Sequence, residues 1–134
     1  MRVEFFAADD IQALADGKVM LMGLYPDKIF ILSVPPEAPQ GAQMMVPTLA
    51  VLASIIEAPT GDYEIRPELL LPDESPYPMD LGVKRVHIHS GKSVNAVFKF
   101  APFVFTSFGV FTFRIHIADQ VFEAKIEMRR NIQN

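Results

Sequence analysis

The sequence predicts an all-β fold: an antiparallel β-sandwich of Greek-key, Ig-like or jelly-roll-like type, with about eight or nine short strands. Three observations carry this expectation. Several segments alternate apolar and polar residues with a period of two, as strands with one wet face do. Eleven prolines spread along 134 residues leave little room for long helices. Turn-forming residues punctuate the chain at short intervals.

In chain order, Val3, Phe5 and Ala7 make the first strand. Lys18–Tyr25 is apolar on both parities, and Ile29–Leu32 is a short strand after the Pro26-Asp27 turn. Pro35-Pro36-Glu37-Ala38-Pro39-Gln40-Gly41 is an irregular connection, too short to separate domains, so residues 1–134 read as one domain. Leu49–Ile56 fits a helical stripe through Leu49, Leu52, Ala53 and Ile56, and equally a buried strand. The strand is preferred because of the prolines.

Farther on, Tyr63, Ile65, Leu69 and Leu71 alternate with Asp62, Glu64, Arg66 and Glu68. Pro67 has no N–H for a ladder, which predicts an edge strand or a bulge there. Val86 and Ile88 alternate with Arg85, His87 and His89, and Ser90-Gly91-Lys92-Ser93 turns the chain. Phe98 and Phe100 share one parity and Phe103 and Phe105 the other, so a β-bulge is expected at Ala101-Pro102. Phe111, Phe113, Ile115 and Ile117, then Phe122, Ala124, Ile126 and Met128, form the two strands of an antiparallel hairpin around Ala118-Asp119-Gln120. That turn lacks the glycine a two-residue primed turn prefers, which leaves its type open.

Composition narrows function. Sixteen acidic against twelve basic residues give a formal charge of −4 and a pI near 5.3. The densest basic points, Lys84-Arg85 and Arg129-Arg130, are only pairs, so no cationic face for nucleic acid is expected. There is no cysteine, hence no disulfide, thiolate metal ligand or cysteine nucleophile. The N-terminus carries acids at Glu4, Asp9 and Asp10 and has no signal-peptide character. The uncharged stretch Gly41–Ile56 contains Pro47 and falls short of the roughly 20 apolar residues of a spanning helix. The expectation is a cytoplasmic protein outside the membrane.

The best metal candidates are His87, His89 and His116. Residues i and i+2 of a strand share a face, and His116 lies on the wet parity of its own strand. Exposed histidines on a solvated strand are the competing reading. Gly91-Lys92-Ser93 resembles the end of a phosphate loop, but Val86 stands where its first glycine belongs and a strand follows in place of a helix. Two acidic groups, Asp9, Asp10 and Asp16, and Asp73, Glu74 and Asp80, follow no known cation-loop spacing and read as turn residues. No serine sits in a nucleophile elbow. No enzyme activity and no cofactor are therefore expected.

Lys18–Tyr25 and Leu49–Ile56 make the positive argument. A two-layer sandwich buries only one face of each strand, so their second faces need a cover. The sequence offers no convincing helix for this, apart from Asp9–Asp16. The expectation is a binding or assembly module that self-associates through a sheet face or edge, as a homo-oligomer or with a protein partner. The Pro-rich connection folded over that face is the plainer alternative. The alternative function is a small-ligand, carbohydrate or metal-binding sandwich that uses the polar face around His87, His89 and His116.

Val3–Asp10, Asp16-Gly17-Lys18, Met22–Tyr25, Gly61-Asp62-Tyr63 ahead of Leu69–Asp73, and Gly109–Phe113 with its hairpin together resemble an uncharacterised bacterial family of small all-β proteins, a domain of unknown function sometimes found in phage-like contexts. Glu74 and Gln120 stand where such proteins often have a turn glycine. The resemblance implies a compact β-sandwich and no assigned activity or catalytic residue.

Overall fold

The structure is a computed structural model. It describes every residue except Pro35, Pro36, Gln40, Ser90, Gln133 and Asn134, and only the backbone of Ile132. The chain is all-β. Among the described residues there are eleven strands and a single 3-10 turn at Ala15–Gly17. One sheet carries, in spatial order, β2 (Val19–Tyr25), β1 (Arg2–Ala13), β5 (Leu49–Ile56) and β8 (Val94–Phe100), all antiparallel. The second carries β3 (Ile29–Val34), β11 (Gln120–Ile132), β10 (Gly109–Ile117), β6 (Gly61–Leu70) and β7 (Lys84–Ile88). In it β3 runs parallel to β11. A small ladder joins β4 (Met44–Val46) to β9 (Phe103–Phe105).

The alternating parities meet between the two large sheets. Ala7, Val51, Ala53, Ile55 and Phe98 from one sheet pack with Ile65, Leu69, Phe113, Ile115 and Ile126 from the other. Phe113 receives the edge of Phe5 at 6.0 Å and the tilted ring of Phe98 at 5.2 Å. Toward one end, Phe100, Phe103, Phe105 and Phe111 extend the core as a run of aromatic contacts. Tyr77 stacks on Phe103, and its hydroxyl accepts from the Val104 N–H at 3.1 Å and donates to the Val104 carbonyl at 2.8 Å. One side chain thus ties the segment after β6 to the core.

Leu49–Ile56 is a strand, as expected, and lies between β1 and β8. Leu49, Val51, Ala53 and Ile55 face the intersheet core, while Ala50 and Leu52 belong to a second cluster on the opposite face. The cover for that face comes from the chain itself. Asp9 and Gly23 drop out of the β1–β2 ladder between Ala8↔Leu24 and Asp10↔Met22, and Gly23 has φ +68°. Ile11 then packs with Ala8, Ala50 and Leu52, joined by Val19 and Leu21. The hairpin tip has crossed β5: Asn95 Nδ2 on β8 donates to the Gly17 carbonyl at 3.4 Å. The β1–β2 hairpin is therefore a flap over the outer face of its own sheet.

Several expectations are corrected by this arrangement. Strands number eleven, above the eight or nine expected, because short β4 and β9 form their own ladder. Asp9–Ala13 continues β1 and is not helical. Ala101-Pro102 is no bulge within one strand. It separates β8, which pairs with β5, from β9, which pairs with β4, so the phenylalanine parity switches because the partner switches. Pro67 lies on an interior strand, not an edge: β6 sits between β10 and β7. It is tolerated because the β7 ladder stops at Ile65, and the returning segment bonds only at Leu69 and Leu71. The Ala118-Asp119 turn has positive φ at both residues (50° and 59°), which makes it a primed two-residue turn without glycine. The proposed turns at Pro35–Gly41 and Ser90–Ser93 fall in part outside the described residues.

Candidate interaction surface

The three histidines lie on the outward face of the second sheet, as their parity requires, but in two places. His87 lies on β7 and His89 follows its end, with ring centroids 4.5 Å apart, and His87 Nδ1 lies 2.7 Å from Asp62 Oδ1. His116 sits on β10 opposite Arg66, with its Nε2 4.0 Å from Glu68. β6 intervenes, and Arg66 is four residues along it from Asp62, the partner of His87. At strand spacings this separates His116 from His87 by roughly 16 Å. One ion cannot bridge that span. Among the described residues no three His, Asp or Glu side chains gather to hold a metal.

The face between them is held by charge pairing. Arg114 donates from Nε to Glu123 at 2.9 Å and from Nη1 to Glu68 at 3.3 Å. The bond to Arg114 holds the Glu123 carboxyl below the usual range, and that to Glu123 raises the guanidinium. Lys125 donates to Thr112 at 2.8 Å, and Arg85 and Arg66 both reach Glu64. Two open grooves of about 560 and 430 Å³ flank Asp62, Tyr63 and Glu64. Two of the acidic residues singled out in the sequence, Asp73 and Asp80, are engaged locally. Asp73 accepts from the Ser75 N–H and hydroxyl, which lowers its pKa, and Asp80 accepts from the Gly82 N–H.

The other flank of the sandwich is different in character. Here β2 is the edge of one sheet and β3 the edge of the other, joined through Pro26–Lys28 and closed by the stacked rings of Tyr25 and Phe30 at 3.7 Å. Tyr25 donates its hydroxyl to Asp9 Oδ1 at 2.5 Å. Burial first, and then this bond, push the phenol up to about 12. Asp10 pairs with Lys99 at 3.0 Å, and this hydrogen bond is the largest cause of its lowered pKa. These contacts pin the flap at its root.

Pinning the flap turns Val19 and Leu21 inward and leaves the alternate residues outside. Met20, Met22 and Leu24 are 45%, 39% and 48% exposed, and Leu14 at the hairpin end is 44% exposed. Ile31 on β3 is also exposed. The seven residues of β2, Val-Met-Leu-Met-Gly-Leu-Tyr, contain no charge and no proline. Edge strands in soluble proteins are ordinarily guarded by lysine, proline or a bulge facing the open side. On β2 the single irregularity is Gly23. The apolar double parity of Lys18–Tyr25 in the sequence signalled this strand. Its position as an edge, and the inward use of one parity by the flap, required the tertiary structure.

Among the described residues no helix is long and apolar enough to cross a membrane. No protein-family model matches the chain, and no curated protein does.

Proposed function

We propose that the chain is a non-enzymatic binding or assembly module that pairs with a second copy of itself through strand β2. The observation that carries this is the exposed row Met20, Met22 and Leu24 on an uncharged edge strand. An isologous contact requires a surface complementary to itself. Antiparallel pairing of two β2 strands about Met22 sets Met20 of one copy against Leu24 of the other, and the reverse. The flanks agree in charge: Asp16 and Lys18 precede the strand and Asp27 and Lys28 follow it, so each end offers both signs to the opposite end. The unpaired N–H and C=O groups of the edge supply directional bonds, and the row excludes water from them.

The test places a charge in the middle of the row. Met22→Lys leaves the flap's inward residues untouched and obstructs the pairing, whereas Met79→Lys alters an equally exposed methionine away from β2. In sedimentation velocity the wild type and Met79→Lys run as dimers and Met22→Lys as a monomer. A wild type that is monomeric throughout the micromolar range, or a Met22→Lys variant that stays dimeric, overturns the proposal.

A further inference from the structure

The chain has no cysteine, so its seven methionines hold all of its sulfur. Met20, Met22 and Met79 are exposed, and Met128 is buried in the core. Met22 holds a particular place among them. Where two β2 strands pair antiparallel about Met22, Met22 of one copy stands directly opposite Met22 of the other. Facing side chains in such a pair have Cβ atoms about 4.5–5.5 Å apart, so two thioethers meet on the two-fold axis. Their neighbours along the row are Met20 and Leu24 of each copy. Of the β2 side chains only that of Tyr25 carries a hydrogen-bond donor, and it is given to Asp9. Lys18 lies four residues away, roughly 13 Å along a strand. The centre of the seam therefore offers no side-chain donor to a new acceptor.

We propose that Met22 is an oxidation site that controls assembly: hydrogen peroxide converts its thioether to the sulfoxide in the free chain, and the sulfoxide keeps two copies apart. This rests on the β2 pairing proposed above and names how that pairing is regulated. In the reaction a sulfur lone pair attacks one peroxide oxygen. The S–O bond forms as the O–O bond breaks, and the departing hydroxide takes the proton of the transferred oxygen and leaves as water. Sulfur is oxidised by two electrons and the peroxide is reduced by two. The product is a polar acceptor on a formerly apolar side chain. A buried acceptor without a donor costs about tenfold in an equilibrium constant, and the axis doubles the effect, so the dimer weakens by about a hundredfold. The converse follows by mass action: the dimer covers Met22, so only the monomer is attacked. Reversal needs a reductase from outside, because the chain carries no thiol of its own.

The test treats the full chain with hydrogen peroxide at concentrations above and below the dimer dissociation constant. Peptide mass spectrometry follows each methionine, and sedimentation velocity follows assembly. Met79, exposed and away from β2, is the internal control. The expected result is that Met22 oxidises as fast as Met79 in dilute protein and at least tenfold more slowly where the dimer prevails. The oxidised chain runs as a monomer with unchanged β-sheet circular dichroism, and methionine sulfoxide reductases for both epimers restore the dimer. Met22→Leu keeps the row apolar, dimerises and stays dimeric in peroxide, whereas Met79→Leu is as sensitive as the wild type. Equal rates at Met22 and Met79 in the dimer, a dimer that survives full oxidation of Met22, or a Met22→Leu dimer that peroxide still dissolves overturns the inference and leaves the pairing standing. An untreated chain that is monomeric at every concentration overturns the pairing and this inference together.

Discussion

Ile11→Ala tests whether the β1–β2 hairpin is a packed cover or an ornament of the edge. Ile11 is fully buried, yet it belongs to the small cluster with Ala8, Ala50 and Leu52 and not to the intersheet core. Truncation removes about three methylene equivalents, worth about 2.4 kcal/mol in transfer free energy at about 0.8 each. A cavity contribution adds to this. The cluster is ringed by half-buried Phe6, Val19, Leu21 and Val97, which can settle inward, so the total stays near the lower end of the range for such truncations, about 2–3 kcal/mol. Urea unfolding followed by circular dichroism, at one fixed chain concentration, reads this as a lower midpoint with an unchanged slope. Met20→Ala, on the outward parity of the same hairpin, shifts stability by less than about 0.5 kcal/mol. An Ile11→Ala variant as stable as Met20→Ala would refute the flap, and the outer face of β5 would then need another cover.

Three further outcomes follow from the same contacts. Gly23→Ala forces a left-handed φ on a residue with a side chain and drives its Cβ into the Asp9 carboxylate, so it destabilises by about 1–2 kcal/mol from the backbone alone. In denaturant titrations the loss is smaller when Asp9 is already alanine. Tyr77→Phe leaves the Val104 N–H and carbonyl without their partner and costs about 1–3 kcal/mol, read from thermal unfolding. Of the three tyrosines, Tyr25 ionises near pH 12 in tyrosinate absorbance, and Asp9→Asn lowers that value. Because the folded pKa is raised, this contribution to stability is full below about pH 10, the unfolded value, and is lost as pH rises toward the folded one.

What the sequence made legible was what depends on near neighbours along the chain. The β10–β11 hairpin follows from parity alone, and its register places Phe113 opposite Ala124 and Ile115 opposite Phe122 as the alternation requires. Leu49–Ile56 was readable as a strand because proline density disfavoured the helix that its spacing also allowed. Partner choice was not legible. The phenylalanine parity switch at Ala101-Pro102 looks the same whether a strand bulges or ends and changes partner. The parallel pairing of β3 with β11 joins segments about a hundred residues apart in the chain, and no local pattern encodes it. His87 and His116 lie on the face that their parity predicts, since face is a local property of a strand. Their separation depends on β6 lying between their strands, which is a matter of topology. Lys18–Tyr25 and Leu49–Ile56 carried the same double apolar signal and met different fates. The flap covers the second face of β5, and the outward parity of β2 is left exposed.

That exposed parity is the basis of the assembly reading, and mass in solution tests it most directly. Light scattering across a dilution series of the purified chain should return twice the 15.0 kDa chain mass, falling to 15.0 kDa when Met22 is replaced by lysine. A mass of 15.0 kDa for the unmodified chain at every concentration would contradict the account, and Met20, Met22 and Leu24 would then be exposed residues without a partner copy.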